Sequence, residues 1–387
     1  MTRRGDVVAD APTGTVLVAH PSADLYGSDL QLLESISGLV TRGWRVVVTL
    51  PHEGPLTPRL RACGAEVGFL PVPVLRKSLL SPAGLLSLVW SSLRALGPML
   101  QQLRRDAPDA VYVNTVTVPL WLIAARLARR PALCHVHEAE EARTLVRVVL
   151  NLPLFLARAV VVNSQAAADT VLSALPGLAR RVQVVHNGVP GPATEPGAIS
   201  TSGRRRIALV GRLSPRKGID VALEAVALVA AGGHDVSLQL CGSVFPGYEW
   251  YEAELRERAA RPDLTGRVTF AGYTSPTWPA LDRAEVVLVP SRAEPFGNAA
   301  VEGQLAARPV VASAVQGLRE IVTDGENGLL VPPDDPPALA TALTRLLDDP
   351  ELALRLASEG RASALRRFSP ERYQEDIASA VSAIARR

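Results

Sequence analysis

Short runs of apolar residues alternate with longer stretches of mixed apolar and polar residues along the whole chain. The apolar runs show little polar alternation, which predicts parallel strands that are covered on both faces. The predicted strands are Thr15–His20, Arg45–Leu50, Ala110–Asn114, Ala132–Val136, Ala159–Asn163, Arg206–Val210, Val236–Leu240, Val268–Ala271, Glu285–Val289 and Pro309–Ala312. Helical periodicity occupies the stretches between them, for example Asp29–Val40 and Leu85–Arg105. This repetition predicts two doubly wound α/β sheets with right-handed crossovers.

A segment rich in Pro, Gly, Ser and Thr divides this pattern near the middle of the chain, at Val189 to Gly203. It lacks apolar periodicity and is typical of a linker. We therefore expect one Rossmann-like domain at residues 1–190, a linker at 191–204, a second Rossmann-like domain at 205–368, and a last helix at 369–387. Ligands bind at the carboxyl ends of parallel strands, so a site in a cleft between the domains is expected.

Composition narrows the functional classes without changing this architecture. The 387 residues are 48% hydrophobic and 20% charged with a net charge of +3, which excludes a mostly disordered chain and gives no overall basic field for nucleic acid. The three cysteines are scattered, which argues against a disulfide framework or a zinc site. Residues 1–13 resemble a loose tail and not a signal peptide, and the uncharged Leu79–Leu93 is too short to span a bilayer. A cytoplasmic protein is expected.

A cationic loop follows the first strand of the second half, at Gly211–Gly218. Gly211 frees the backbone at the strand end, while Arg212 and Lys217 place two cations beside it. A diphosphate leaving group needs such cations, because negative charge grows on it as its bond to a sugar breaks. The alternative is a helix-start loop whose basic residues are simply solvated. Lys217 is one of only two lysines in the chain, which favours a specific role.

A second motif, Ser291–Glu302, follows another predicted strand and leads into a helix. The free amides expected at the start of that helix, together with the helix dipole, favour an anionic ligand. Glu294 precedes the helix and Glu302 lies about one turn inside it, so each carboxylate can accept hydrogen bonds from a different pair of sugar hydroxyls. A helix cap for Glu294 and a surface charge for Glu302 are the alternatives. The amides are those of Gly297, Asn298 and Ala299.

The cationic loop and the Glu-x7-Glu pair, in this order, resemble the retaining nucleotide-sugar glycosyltransferases of family 4, the group 1 glycosyltransferases. Asn187-Gly188-Val189, Ala307–Ser313 and the turn and strand of Asp324–Val331 also match that family, so the resemblance covers nearly the whole second half. It implies the GT-B fold, in which two Rossmann-like domains face an interdomain cleft. The first domain would bind the acceptor and the second the nucleotide sugar, and the last helix would cross back to the first domain.

The resemblance also assigns roles to individual residues. It implies that Arg212 and Lys217 bind the donor diphosphate, that Glu302 holds the ribose hydroxyls, and that Glu294 faces the transferred sugar. Backbone amides would approach the sugar and phosphate at Phe296, Gly297 and Asn298. No metal or other cofactor is expected. The reaction would be a same-face attack in which the leaving phosphate helps to deprotonate the acceptor hydroxyl.

The first half matches the family less closely. Gly27 and Ser28 stand where the family has a glycine-rich loop, which implies amide contacts to the donor phosphate, with helix capping as the alternative. His137 corresponds to a family histidine and would contact the donor sugar near the reacting carbon, whereas His135 is expected to be a buried structural histidine. Asn163-Ser164 resembles a family turn and would line the cleft or cap a helix. Gln316 replaces a family glycine, which predicts a less compact loop.

Two apolar stretches of the first half carry arginines at their ends and concern the acceptor. Leu75–Arg105 includes Arg76, Lys77 and Arg94, and Arg143–Arg158 is interrupted by Pro153. Apolar helices with arginines at both ends can lie on an anionic membrane, which would suit a lipid-linked acceptor and a peripheral location on the inner face of the membrane. The alternative is a pair of crossover helices packed in the core.

Three other functions are alternatives to a transferase that uses a nucleotide-diphosphate sugar and a hydroxyl acceptor. A non-catalytic protein that binds a nucleotide sugar or glycan would be favoured if Glu294 or Lys217 were missing, and both are present. A glycoside hydrolase uses two carboxylates that flank the scissile bond, but hydrolysis does not explain the cationic loop. A sugar phosphorylase would need a further lysine for its cofactor near the phosphate site.

Overall fold

The computed structural model describes residues 13–75, 82–138, 144–199, 203–245 and 247–385. The chain divides into two compact units. Within the described residues, the first unit comprises residues up to 163, residues 168–188 and residues from 371 onward, and the second comprises Ser164–Ala167 and Val189–Pro370. Residues 1–12 of the predicted tail and residues 200–202 of the predicted linker lie outside the described residues. The rest of the linker belongs to the second unit, where the Gly197 amide donates a hydrogen bond of 2.7 Å to Asp282.

The first unit contains a seven-stranded sheet in which all neighbouring strands are parallel. Its strands are β1 (Gly14–Ala19), β2 (Trp44–Leu50), β3 (Glu66–Phe69), β4 (Ala110–Val113), β5 (Ala132–Val136), β6 (Ala159–Val162) and β7 (Val182–Val184). The spatial order is β3-β2-β1-β4-β5-β6-β7, so the direction of winding reverses between β1 and β4. A reversal of this kind opens a crevice at the carboxyl ends of the two strands, where ligands of such sheets bind.

Helices cover this sheet because their apolar residues recur at helical spacing. In α1 (Gly27–Thr41), Leu32, Ile36 and Leu39 are fully buried against the strands. The next helices in the chain are α2 (Leu56–Ala62), α3 (Pro82–Asp106), α4 (Leu120–Leu127), α5 (Thr144–Asn151) and α6 (Gln165–Ala174). Short 3-10 helices occupy Leu152–Leu156 and Pro176–Leu178. The core of the first unit thus lies between these helices and the Val-rich strands.

The second unit repeats the plan with a six-stranded parallel sheet. Its strands are β8 (Arg205–Val210), β9 (Val236–Cys241), β10 (Val268–Gly272), β11 (Val286–Val289), β12 (Val310–Ser313) and β13 (Leu329–Val331). The order β10-β9-β8-β11-β12-β13 reverses between β8 and β11. The two loops that carry the sequence motifs therefore begin on neighbouring strands, because Gly211 follows β8 and Ser291 follows β11 by two residues.

The helices that follow in the chain are α7 (Ile219–Ala231), α8 (Glu249–Ala259), α9 (Trp278–Asp282), α10 (Asn298–Leu305), α11 (Leu318–Ile321), α12 (Pro336–Asp348), α13 (Pro350–Arg367) and α14 (Pro370–Ala385). A 3-10 turn at Pro215–Lys217 leads into α7. The starts of α12 and α13 are fixed by aspartate caps, since Asp335 and Asp349 each accept a hydrogen bond of 2.9 Å from an amide three residues on. Buried apolar residues on both faces of the sheet form the core of the second unit.

From Glu371 onward, α14 belongs to the first unit. Tyr373, Ile377 and Val381 recur every four residues along it and are fully buried in the core of that unit. The Tyr373 hydroxyl lies 2.6 Å from the Ser35 hydroxyl on α1. The helix α14 therefore shares one hydrophobic core with β1 and α1.

The predicted α/β class with two doubly wound parallel sheets is confirmed, and each of the ten predicted strands is present within a residue or two of its expected ends. The strands β3 and β7, which form the two edges of the first sheet, were not predicted from the sequence. Both strands are short and partly exposed, and they contain Glu66, Gly68 and Gln183 in place of a continuous apolar run. Edge strands bury less surface, so their sequences carry a weaker signal.

Candidate active site

The loops after β8 and β11 meet at the reversal point of the second sheet. Gly218 brings them together: its φ of +64° is left-handed, and a Cβ atom there would lie 2.0 Å from the carbonyl oxygen of Pro290. Only glycine fits both conditions. The Arg292 amide also donates to the Arg216 carbonyl at 2.8 Å. The structure thus places the two motifs predicted from the sequence side by side.

Lys217 and Glu294 form a buried ion pair between these loops, with 2.5 Å between Nζ and Oε2. Their side chains are only 15% and 10% exposed. Burial alone would raise the pKa of Glu294, but the charges of Lys217 and Arg216 and the hydrogen bonds from Lys217 and Ser291 outweigh it and lower that pKa. The carboxylate is therefore ionised, and it orients the ammonium group of Lys217. This contact was not anticipated from the sequence.

Glu302 lies in a different environment one turn inside α10. Burial raises its pKa to about 7, although a hydrogen bond from the Thr277 hydroxyl and the charge of Lys217 act in the opposite direction. The Thr277 hydroxyl donates to Oε2 at 3.2 Å from the loop that follows β10. Glu302 is thus an acid that ionises near neutral pH. Thr277 was not predicted as a partner of Glu302, because a single threonine 25 positions earlier in the sequence carries no pattern that would indicate the contact.

The start of α10 is built as the motif predicted. The helix begins at Asn298, and Gly297 precedes it with a φ of +124°, where a Cβ atom would lie 2.6 Å from Leu318. The Phe296 side chain is buried against Phe368 with ring centroids 5.5 Å apart, so only its backbone can face a ligand. Ala299 is also buried in the core beneath the helix. Backbone amides at this helix start suit an anionic group.

Two further residues position these loops. The Arg292 guanidinium donates to the Pro215 carbonyl at 2.5 Å and to the Asp220 carboxylate at 2.6 and 2.9 Å, which joins the two loops to α7. Gln316 accepts a hydrogen bond of 2.8 Å from the Glu294 amide. The glutamine side chain, at a position where the family often has glycine, thus holds the backbone of Glu294. The sequence gives no sign of this contact between residues 22 positions apart.

Arg212 extends from the same loop as Lys217. Its guanidinium carbon lies 5.5 Å from the ring centroid of Phe245, which is 39% exposed in the loop after β9. Gly211, Arg212 and Lys217 thus all belong to the segment that leaves the carboxyl end of β8. Both cations expected to bind a diphosphate are in one loop, one held by a carboxylate and the other against an aromatic ring.

In the first unit, Gly27 and Ser28 are the first two residues of α1. The residue that caps this helix is Tyr26, whose amide donates to the Asp29 carboxylate at 2.8 Å, so Ser28 is not the cap. Asp29 also lies 2.6 Å from His20, the residue that follows β1. The predicted phosphate loop therefore stands at the reversal point of the first sheet, between β1 and β4.

The two histidines of β5 and its end lie in polar surroundings. His137 Nε2 is 3.0 Å from the Asn114 carbonyl oxygen, and burial lowers the pKa of His137 to about 3. His135 is fully buried, with Nδ1 at 2.7 Å from the Tyr112 hydroxyl. His135 is thus the structural histidine that the sequence analysis expected. His137 is neutral at physiological pH, so it can make hydrogen bonds but carries no charge.

Of the remaining predicted positions, Ser164 caps α6 by accepting a hydrogen bond of 3.0 Å from the Ala167 amide. Asn163 donates to the His137 carbonyl oxygen at 3.4 Å. Arg76, Lys77 and Arg143, named as possible acceptor-side cations in the sequence analysis, lie outside the described residues. Within the part of the chain that the structure describes, no helix combines the length and apolarity needed to cross a bilayer.

Comparisons with known proteins agree with this geometry. The model of the family described as "Glycosyl transferases group 1" matches residues 204–349, and that of the "Glycosyl transferase 4-like domain" matches residues 27–188. An alpha-D-kanosaminyltransferase of Streptomyces kanamyceticus is 33% identical over 41% of this chain and 41% of its own length. A D-inositol 3-phosphate glycosyltransferase of Salinispora tropica is 38% identical over 44% of this chain and 36% of its own length. The chain thus matches less than half the length of these two relatives.

Solved structures extend the likeness over nearly the whole chain. The crystal structure of Anabaena Alr3699/HepE in complex with UDP and glucose has a TM-score of 0.81 and 25% identity, and covers 96% of this chain and 100% of that one. The same protein has been solved with UDP-glucose. The two family models together span most of the chain, and the structural match is full-length. Both agree with the two parallel sheets, in each of which the winding direction reverses, and with the loops that carry the motifs. The chain belongs to the group 1 glycosyltransferases of family 4 and has the GT-B fold.

Proposed function

We propose that the protein transfers a sugar from a nucleotide-diphosphate sugar to a hydroxyl acceptor, with retention at the anomeric carbon and without a metal ion. The observation that carries this proposal is the buried pair of Lys217 and Glu294 at the reversal point of the second sheet. The similarity to Alr3699/HepE, which was solved with UDP-glucose, supports a nucleotide sugar as the donor. The sugar, the base and the acceptor are left open.

The cations of the β8 loop stabilise the leaving group. Negative charge develops on the diphosphate as its bond to the sugar breaks, and Lys217 is already oriented by Glu294 before any ligand arrives. A preoriented charge needs no reorganisation during the reaction, and such a contact is worth roughly 3 kcal/mol, or two to three decades in rate. Arg212 adds a second positive charge in the same loop. Together they supply the charge stabilisation that a divalent ion gives other enzymes.

The carboxylates hold the two sugar rings of the donor. Glu302 ionises near neutrality, and two ribose hydroxyls that donate to it would favour its charged form. Glu294 accepts hydrogen bonds from hydroxyls of the transferred sugar while it remains paired with Lys217. The amides of Gly297, Asn298 and Ala299 at the start of α10 add hydrogen-bond donors for sugar and phosphate.

In the chemical step, the bond between the anomeric carbon and the phosphate oxygen breaks through an oxocarbenium-like transition state. The leaving phosphate takes the proton of the acceptor hydroxyl, and the oxygen of that hydroxyl bonds to the anomeric carbon on the same face. Glu294 is held as the salt of Lys217 and shares a hydrogen bond with Ser291. A carboxylate held in this way is a weak nucleophile, which favours same-face transfer over a double displacement through a glycosyl-enzyme.

The first unit also offers groups that suit a nucleotide sugar. The amides of Gly27 and Ser28 at the start of α1 are free to meet an anionic phosphate, as the first amides of a helix are. His137 contacts the transferred sugar through a neutral ring, since its pKa of about 3 keeps it uncharged at physiological pH. The first unit therefore adds hydrogen bonds, while the second unit adds charge.

The test begins with a thermal-shift screen of UDP-, GDP- and dTDP-linked sugars against the wild-type protein. With the donor that binds, we expect Lys217→Ala and Glu302→Ala each to lower turnover by about two decades or more, measured as release of the nucleoside diphosphate. The control is Arg204→Ala, which removes one cation of the same unit from an exposed ion pair with Asp235. Near wild-type turnover in either site variant contradicts the proposal. If the wild-type protein binds the donor but shows no turnover with any acceptor tested, the result would support the non-catalytic alternative. Unchanged turnover in the presence of EDTA is the expected result for metal independence.

A second proposal is that the acceptor is lipid-linked and that the first unit meets an anionic membrane. On α3, Leu86, Val89, Trp90 and Leu93 are between 57% and 74% exposed. Their spacing of three and four residues places them in one stripe of the helix. The opposite side of α3 buries Ala95 and Met99, so the exposed stripe is not needed for packing within the unit.

The apolar stripe continues over neighbouring elements. Helix α4 packs against α3 and against the 3-10 helix that follows α5. Exposed residues on these elements are Ile123, Leu127, Leu152, Phe155 and Leu156. The Arg94 guanidinium lies 4.8 Å from the Trp90 ring centroid, so a cation stands beside the apolar residues. An apolar surface of this extent with a cation at hand suits anionic lipids.

Vesicle co-sedimentation tests this second proposal. We expect binding to phosphatidylglycerol vesicles, weaker binding to phosphatidylcholine vesicles, and loss of both in a Trp90→Ser, Leu93→Ser double variant. Leu228→Ser, at a residue 47% exposed on α7, is the matched control and should bind as the wild type does. Equal and negligible recovery from both vesicles would contradict the proposal. A self-associating protein that the double variant makes monomeric would assign the surface to a second copy instead.

A further inference from the structure

A chain of polar side chains is buried at the reversal point of the first sheet. His20 follows β1, Asn114 follows β4, and Asp29 lies on α1; none of the three is more than 2% exposed. His137, which follows β5, is partly exposed and forms the end of the chain. Consecutive members are within hydrogen-bond distance: 2.6 Å for Asp29 and His20, 3.1 Å for His20 and Asn114, and 3.0 Å for Asn114 and His137.

The proton positions in this chain follow from its acidic end. Burial alone would raise the pKa of Asp29, but hydrogen bonds from His20, Ser22 and the Tyr26 amide lower it. An ionised carboxylate can only accept, so the proton of the 2.6 Å contact is on His20 Nε2. His20 Nδ1 then accepts the hydrogen bond of the Asn114 amide nitrogen at 3.1 Å.

The carbonyl oxygen of Asn114 faces the other way. It accepts a hydrogen bond of 3.0 Å from the Tyr112 hydroxyl and lies 3.0 Å from His137 Nε2. An amide oxygen has no proton to give, so His137 Nε2 must donate. Since His137 is neutral at physiological pH, its single proton is then on Nε2 and its Nδ1 is a lone-pair acceptor.

We propose that Asn114 is a positioning residue that fixes the proton of His137 on Nε2, so that the ring offers Nδ1 to a ligand hydroxyl. The tautomer itself does not depend on the proposed function, but its use in sugar binding rests on it. The ligand group that this ring recognises is therefore a hydrogen-bond donor. A sugar with a methoxy group, a carbonyl or a deoxy position there would lose the contact.

A reversed Asn114 amide would place the proton of His137 on its other ring nitrogen. If His20 carried protons on both nitrogens, the Asn114 amide would be reversed, and its nitrogen would donate to His137 Nε2. The proton of His137 would then be on Nδ1. The other groups near the ring are His135, whose ring centroid is 4.0 Å away, and Glu138, whose carboxylate accepts from the His137 amide at 3.0 Å. Neither of these contacts fixes a proton on Nε2.

Nuclear magnetic resonance of the full-length protein with ¹⁵N-labelled histidine reads the tautomer directly. The chain has six histidines, and a His137→Gln variant assigns the signal that disappears. For ligand-free wild type at pH 7, we expect a protonated Nε2, an unprotonated Nδ1, and a ring N–H proton that exchanges slowly with water. A proton on Nδ1, or an average of the two tautomers, would overturn the proposal.

Two Asn114 variants and one control separate positioning from folding. Asn114→Leu removes the acceptor, so the slowly exchanging ring proton of His137 should be lost. Asn114→Asp keeps an oxygen at the same place and should retain that proton. The control is Asn163→Leu, because Asn163 contacts the backbone carbonyl of His137 and not its ring, and the signal should survive there. Retention of the slow proton in Asn114→Leu would also overturn the proposal.

Turnover then distinguishes the tautomer from its use. We expect kcat of Asn114→Leu to fall about tenfold or more with Asn114→Asp closer to the wild type, since a misoriented contact in the transition state lowers rate more than binding. If the ring proton behaves as expected while kcat is unchanged, Asn114 still sets the tautomer. The contact of His137 with the sugar in the proposed function would then be wrong.

Discussion

Glu302 should make the free protein less stable as the pH rises through neutrality. Its pKa is about 7 in the folded protein, compared with the ordinary glutamate value of 4.5, a difference of about 2.5. Each pKa unit corresponds to about 1.4 kcal/mol, so ionising this partly buried carboxylate costs the folded state up to about 3 kcal/mol. The sign follows from the raised value: the folded state holds a proton that the unfolded chain releases. The cost is absent below pH 4.5, grows between pH 4.5 and 7, and is constant above pH 7.

Glu302→Gln removes this cost while keeping a side chain of the same size. We expect the variant and the wild type to be equally stable near pH 4.5, and the variant to be more stable by about 1 to 3 kcal/mol at pH 8. Urea unfolding at both pH values measures the difference, with separate transitions fitted if the two units unfold apart. The control is Glu257→Gln, at an exposed glutamate on α8, which should show no such pH dependence. A Glu302→Gln difference that is the same at pH 4.5 and pH 8 would mean that folding does not raise the pKa of Glu302.

Three other substitutions test how the two units are built. Gly218→Ala should destabilise the protein by at least about 2 kcal/mol in urea unfolding, because its left-handed φ adds to a backbone clash; Gly266→Ala has φ +74° and open space and should cost about 1 kcal/mol. Lys217→Met should cost about 3 kcal/mol by leaving Glu294 charged and buried, and the double variant with Glu294→Gln should recover most of that loss; additive effects would contradict a coupled pair. Tyr373→Phe should cost about 1 kcal/mol in a thermal or urea transition, since the serine that it contacts has other partners, and no loss would mean that its 2.6 Å hydrogen bond contributes nothing.

Much of the fold could be predicted because parallel strands covered on both faces leave continuous apolar runs. The strand Ala132–Val136 has the bounds that the sequence indicated. The edge strands β3 and β7 were not predicted, because they are partly exposed and polar residues or glycine interrupt their apolar residues. The helix α3 was predicted from its periodicity. Its exposed apolar stripe was not, because periodicity alone does not say which apolar residues face solvent.

The candidate site was predictable where a motif follows a strand, since strand ends and helix starts are local features. Lys217 and Glu294 were each identified in this way. Their mutual contact spans 77 positions and depends on which strands are neighbours, which single residues do not encode. The same holds for Gln316 on the Glu294 amide and for Asn114 between two histidines. Positioning contacts of this kind come from the tertiary structure.

A crystal structure with the nucleoside diphosphate selected by the thermal-shift screen would show directly whether the loop after β8 binds the diphosphate. We expect a phosphate oxygen within hydrogen-bond distance of Lys217 Nζ. Arg212, the other cation of the loop, should contact the same diphosphate, and the ribose hydroxyls should donate to Glu302. Density for the diphosphate at any other edge of the second sheet, with the Lys217–Glu294 pair untouched, would contradict this expectation.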